Sequence, residues 1–136
     1  MEEKFQAKNL DEAVDHLISN LVLTDENIKF LEGFKDDERG FLGEIHHFYG
    51  RNLRNDWGLW WQKDWVEKYN TPKPPLVQWF NDNEIYHADD MSGIILTTLH
   101  RKYFNQPINL EEQIARYHNH WLKYVGKKNP MEATDE

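Results

Sequence analysis

Apolar residues recur at helical spacing along most of the chain, and nowhere alternate with period two for long enough to build a strand. Val14, Leu17, Ile18 and Leu21 share one face of a segment from about Asp11 to Val22, with Asp11, Glu12 and Asp15 near the positive end of its dipole. Thr24 is a natural cap for a second helix whose Ile28, Leu31 and Phe34 turn inward, so the short break between the two predicts a helical hairpin. A third helix is expected to start near Asp36 or Asp37 and to run to about Leu53. Phe41, Ile45, Phe48 and Asn52 lie on one of its faces, with Leu42 and Tyr49 beside them. Gly40, Gly43, His47, Gly50 and Arg54 form another stripe. A glycine inside a helix costs about 1 kcal/mol relative to alanine, so this stripe needs a reason. A neighbouring helix in close approach supplies one, a bare groove where a ligand meets His47 and Arg54 supplies another, and a break at Gly40 or Gly50 a third.

Beyond Trp61, the residues Asp64, Trp65, Val66 and Tyr69 suit a short helix. Thr71 to Pro75 must be extended or turned, because each proline removes a donor and restricts its predecessor. Leu76 to Asn83 forms a further short helix with Trp79 and Phe80 inward, and Ile85 to Ala88 a loop. Asp89 or Asp90 then caps a helix reaching about Phe104 that buries Met91, Ile95, Leu99 and Tyr103. Asn109-Leu110-Glu111-Glu112 reads as a capping-box start, followed by Ile114, Tyr117, Trp121 and Tyr124 on a last helix to about Val125. The expected fold is all-α: a single compact domain of about five to seven helices over residues 1–126, with a polar tail at 127–136.

Composition narrows the function classes. The 136-residue chain has 14% aromatic residues and no cysteine, so it can bury a core but form no disulfide. Mean hydropathy is -0.88, and no apolar run approaches the ~18 residues a membrane span requires. The first residues carry no basic-then-apolar leader pattern, and a cytoplasmic location is expected. Net charge is -8, distributed as -7 over residues 1–38, +2 over residues 39–63 and -3 over the remainder. General nucleic-acid binding needs a basic face and is disfavoured.

The basic middle holds the most distinctive stretch, Arg51-Asn52-Leu53-Arg54-Asn55-Asp56-Trp57-Gly58-Leu59-Trp60-Trp61. Guanidinium forks, carboxamides and indoles together recognise carboxylates, phosphates or bases, and serve equally well to lock a helix end into a core. Trp57, Trp61 and Trp65 at spacings of 4 would line one core-facing helical stripe, leaving Trp60 on another side for stacking. The histidine pairs His46-His47 and His118/His120 lack the i,i+4 spacing of metal-binding helices, so no metal or other cofactor is expected. Acid–base parts do exist: His47 or His87 as base, Asp89 or Asp90 to orient it, Arg51 or Arg54 to stabilise an anion. A purely structural alternative has the aspartates capping a helix while an arginine bridges to one of them.

Four segments carry a resemblance: E-A-V-x-x-L-I at Glu12–Ile18, R-N-x-W-G-L-W at Arg54–Trp60, H-x-D-D-M-S-x-I-I-L at His87–Leu96, and L-E-x-Q at Leu110–Gln113. In these the chain resembles an uncharacterised family of small bacterial and bacteriophage proteins, a domain of unknown function. The resemblance implies one compact domain, names no reaction, and marks Arg54, Asn55, Trp57, His87, Asp89, Asp90 and Ser92 as positions to test. The expectation is that the two central motifs meet, with Arg54 or Asn55 facing the His87–Ser92 helix start.

Taken together, these features predict a non-enzymatic binding protein that recognises a protein partner or a small anionic ligand, such as a nucleotide. Its patch comprises His47, Arg51, Arg54, Asn55, Trp57, Trp60, His87, Asp89, Asp90 and Ser92. An immunity or phage counter-defence role fits its size and charge. The alternative is a hydrolase or transferase acting on a phosphorylated or nucleotide substrate through the same cluster.

Overall fold

A computed structural model describes residues 6–20, 24–45, 50–62, 64–127 and 129. Among them are eight helices and no strand: α1 (Leu10–Ser19), α2 (Asp25–Gly33), α3 (Glu38–Ile45), α4 (Arg51–Asp56), α5 (Trp65–Tyr69), α6 (Pro75–Asp82), α7 (Ala88–Tyr103) and α8 (Leu110–Tyr124). The fold is all-helical, compact and of one domain. Its axis is α7, which packs against α1, α3, α4 and α8. Met91, Ile94 and Ile95 are fully buried, and Ala88, Leu96 and Leu99 nearly so. Because neighbours surround α7, its polar Ser92, Thr97, Thr98 and His100 are buried too, which a one-sided helix would not allow. Tyr103, expected inward, is half-buried.

Local signals place the surrounding helices. Asn9 caps α1 by accepting from the Glu12 N–H at 2.9 Å, while Glu12 accepts from the Lys8 N–H at 3.1 Å. Leu10, Ala13, Val14 and Leu17 of α1 then face the core, and Asp15 pairs with Lys102 of α7. Thr24 caps α2 through the Asn27 N–H at 3.1 Å. Ile28, Leu31 and Phe34 are only half-buried, and α2 has no fully buried residue. The end of α2 is instead tied to α7 by His100, whose Nε2 lies 2.7 Å from the Phe34 carbonyl oxygen. Leu21 and Val22 fall outside the described residues.

The long third helix expected from the sequence is described in two helical stretches, α3 and α4, on either side of residues 46–49. Asp37 starts α3, its Oδ1 accepting from the Gly40 N–H at 3.0 Å. A β-carbon at Gly40 would run into that carboxylate, so this glycine serves the cap rather than a neighbouring helix. Gly43 is exposed, with open space where its side chain would be. Residues 46–49, which include His47, Phe48 and Tyr49, lie outside the described residues, and α4 follows. Arg101 of α7 grips Glu38 at the start of α3 with two bonds, at 2.7 and 3.1 Å, and also donates to the Ile108 carbonyl at 2.6 Å. Pro75 opens α6, which buries Leu76, Val77 and Phe80 and leaves Trp79 half-buried.

Two caps differ from expectation. Asn109 precedes α8 in a left-handed conformation (φ 47, ψ 55) and makes no side-chain cap bond, so no capping box forms. At α7 neither aspartate is the cap. That position belongs to His87, and Asp89 and Asp90 occupy the first turn.

Candidate functional site

The site begins where α4 stops. Gly58 adopts φ +66, a left-handed conformation that a side chain would strain, and a β-carbon there would also press on Pro74. The chain therefore reverses, and the Leu59 N–H returns to the Arg54 carbonyl at 2.9 Å. Leu59 is buried as a result and Trp60 swings back over Arg54. This turn breaks the tryptophan stripe that uninterrupted helical spacing implied. Trp57 packs half-buried against the core, Trp61 donates its indole N–H to the Thr71 carbonyl at 2.9 Å, and Trp65 meets Tyr69 edge to face. Trp61 thereby holds the proline segment in place. Trp60 does lie apart from the other indoles and is 38% exposed.

Arg54 carries the junction with α7. It is only 6% exposed, and its Nη1 donates to Ser92 Oγ at 2.9 Å. Ser92 in turn donates to the Asp89 carbonyl at 3.1 Å. The Arg54 Nε is 3.3 Å from Asp89 Oδ1 yet makes no hydrogen bond, so that contact is an ion pair without alignment. The guanidinium carbon sits 6.0 Å from the centre of the Trp60 ring, within cation–π range. The two central motifs thus touch through Arg54. Its donors are turned inward toward α7, which is the bridge anticipated by the structural alternative.

The start of α7 is built around an imidazole. The Asp89 N–H donates to His87 Nδ1 at 3.0 Å. The His87 ring meets Trp60 edge to face at 5.7 Å and stacks on Trp121 of α8 at 6.1 Å and 24°. Trp121 donates its indole N–H to Asp90 Oδ2 at 2.7 Å. Burial pushes the Asp90 carboxyl above its usual range, against the opposing pull of that indole bond and of the nearby His87. Beside it, the Tyr117 hydroxyl is pushed up to about 12, first by burial and then by the Asp90 charge. That hydroxyl occupies the space a side chain at Gly93 would need. Asp89, Asp90, Gly93, Tyr117, Leu42 and Gly43 border a cavity of about 400 Å³. A second depression of about 450 Å³ lies between Trp57, Gly58 and the 72–75 prolines.

Of the ten residues nominated from sequence, Arg54, Trp60, His87, Asp89, Asp90 and Ser92 gather within one junction. Arg51 and Asn55 are exposed on α4. Trp57 faces the core near His16, with their rings 6.3 Å apart, and His47 lies outside the described residues. Sequence reasoning missed Trp121 and Tyr117 as members, because both read as the inner face of α8. Their helical spacing was legible, but their contact with residues about thirty positions earlier was not. Among the described residues, no group of three His, Asp or Glu side chains is placed to hold a metal ion. No helix is long and apolar enough to cross a membrane, again among the described residues.

Fold and junction together define a compact helical domain in which an arginine-anchored tryptophan turn is clamped to the start of a central helix. The chain belongs to the family described as a domain of unknown function, DUF6794, which matches residues 8–103. The match takes in α1 to α7 and ends before α8, so the Leu110–Gln113 segment lies outside it. No curated protein and no solved structure matches the chain.

Proposed function

We propose that this is a small cytosolic binding protein without catalysis of its own, which docks a protein partner on the face formed by Trp60, His87, Trp121 and Asp89. The observation that carries this reading is an exposed indole held over a buried guanidinium. Leaving Trp60 38% open to water is unfavourable by itself. Fixing it with an internal clamp prepays the ordering cost of an interface anchor, and tryptophan beside arginine is the usual composition of such anchors. The Asp89 side chain, 47% exposed, adds a carboxylate at the rim, and an overall charge of -8 favours a partner with a basic surface. A small anionic ligand has less support, since Arg54 is turned inward and the neighbouring cavity is bordered by two aspartates. An immunity or counter-defence role in a bacterium or phage belongs to this reading as its biological setting.

The enzymatic alternative needs His87 as a base oriented by a carboxylate. In a working pair Nδ1–H donates to that carboxylate, freeing Nε2 to take a proton. Here Nδ1 accepts an amide N–H, and Asp89 Oδ2 stands 3.9 Å away. This arrangement suits a cap better than a base.

The test places a photo-crosslinking phenylalanine analogue at Trp60 and, as a control, at the exposed Val66 of α5. A discrete crosslinked protein at position 60, absent at position 66, is expected in cells of the host. Crosslinking no stronger at 60 than at 66 overturns the reading. So does turnover of a nucleotide or phosphoester by the pure protein that disappears in His87→Ala while the fold survives.

A further inference from the structure

We infer that His87 is a proton-operated latch on this face: protonation of its Nδ1 breaks the α7 cap and turns the ring out from between Trp60 and Trp121. The regulation of binding rests on the proposed function above; the latch itself does not. A neutral imidazole has one N–H and one lone pair. Because the Asp89 N–H donates to Nδ1, the lone pair is on Nδ1 and the ring proton on Nε2. An added proton must therefore go to Nδ1, the atom the cap uses. Two donors would then face each other at 3.0 Å, so the charged ring and the cap exclude one another in this orientation. The usual capping residues, serine, threonine, asparagine and aspartate, keep an acceptor oxygen when a histidine would gain its second proton. A histidine cap does not.

The charged ring has somewhere to go. Asp89 Oδ2 is 3.9 Å from Nδ1, and the His87 side chain is 24% exposed, so a rotation of the ring brings Nδ1–H onto that carboxylate. On α7, Asp89 and Asp90 favour the charged ring. Against it stand Arg54 of α4, which lies on the other Asp89 oxygen, and the positive pole of the helix start. From α8, His120 acts on Asp90, and Tyr117 stands beside Asp90 as a neutral phenol. The ring cannot turn without giving up its edge contact with Trp60 and its stack on Trp121. One proton thus changes the helix cap and the exposed indole together, and acidification opens the docking face.

Nitrogen-15 NMR of the full chain through a pH titration tests the latch without any partner. Three results are expected at neutral pH and through the transition: the His87 ring proton on Nε2, an upfield shift of the Asp89 amide proton on acidification, and movement of the Trp60 and Trp121 indole N–H signals with the same midpoint as the His87 nitrogens. His87→Asn, which keeps an acceptor without a proton site, should abolish this shared transition. His87→Ser serves the same purpose if the asparagine variant does not fold. A neutral-pH proton on Nδ1 overturns the inference, as does an Asp89 amide that stays still while His87 titrates. A transition that persists in the asparagine or serine variant assigns the effect to another titrating group, Asp90 or His120, whose ring meets Trp121 at 4.8 Å, and also overturns it. Failure here with successful crosslinking at position 60 leaves the docking face intact and removes only its control by pH. A working latch with no crosslink has the opposite meaning.

Discussion

Replacing Arg54 by alanine removes the buried side chain that hydrogen-bonds α4 and its tryptophan turn to α7. The hydrogen bond from Nη1 to Ser92 is charge-assisted and buried, and such bonds contribute about 1.5–3 kcal/mol. Loss of the packed aliphatic stem adds about 1–2 kcal/mol. The ion pair with Asp89 adds less than about 1 kcal/mol, because that carboxylate is half-exposed and rehydrates when the guanidinium leaves. These terms overlap, so the expected cost is about 3–4 kcal/mol, which for a chain of this size lowers Tm by roughly 10–15 °C. Urea unfolding followed by far-ultraviolet circular dichroism reads the cost, while tryptophan emission reports the release of Trp60. Arg51→Ala is the matched control, since Arg51 is exposed, and should remain within about 0.5 kcal/mol of the parent. If Arg54→Ala also stays within about 0.5 kcal/mol, the clamp is not what holds the turn, and the preorganisation argument for Trp60 fails with it.

Three further outcomes follow from the same geometry. Asp90 has a folded-state carboxyl raised by burial, so its contribution to stability is fully present below the ordinary aspartate range and is lost as pH rises through its folded value. Asp90→Asn keeps an acceptor for the Trp121 indole and should therefore stabilise the protein at pH 7, with the gain fading toward pH 4 in paired urea titrations; an equal effect at both pH values would contradict the assigned cause. Gly93→Ala should destabilise by about 1–2 kcal/mol because the new methyl displaces the Tyr117 hydroxyl, and adding Tyr117→Phe should recover at least half of that in a double-mutant cycle. His100→Ala, at a position 2% exposed, should cost about 3 kcal/mol by chemical denaturation, since it opens a void beside Phe41 and leaves the Phe34 carbonyl without its partner.

Local chemistry was legible from residue order wherever it acts over three or four positions. The Thr24 cap, the inward Val14 and Leu17 of α1, and the short helix after the proline segment (which begins at Pro75, one residue earlier than expected) all depend on neighbours along the chain. The all-helical class follows from the same short-range periodicity. The breaks were harder to read. Spacing alone carried the tryptophan stripe through Gly58, because periodicity continues on paper even where a left-handed glycine turns the backbone. At α7, aspartate preference for cap positions pointed two or three residues too far along, since propensity does not register that an imidazole already accepts the amide.

For the site, sequence by itself determined the ingredients: one basic, indole-rich stretch in an acidic chain, and one His-x-Asp-Asp helix start. Only the tertiary structure decided that Arg54 is buried with Nη1 on Ser92, that the Trp60 ring lies over it, and that Trp121 and Tyr117 of α8 complete the junction. The physical reason is range. Caps and turns are settled by bonds between near neighbours, whereas the burial of a guanidinium depends on which helices surround it. That is fixed by how α7 shares its circumference among α1, α3, α4 and α8.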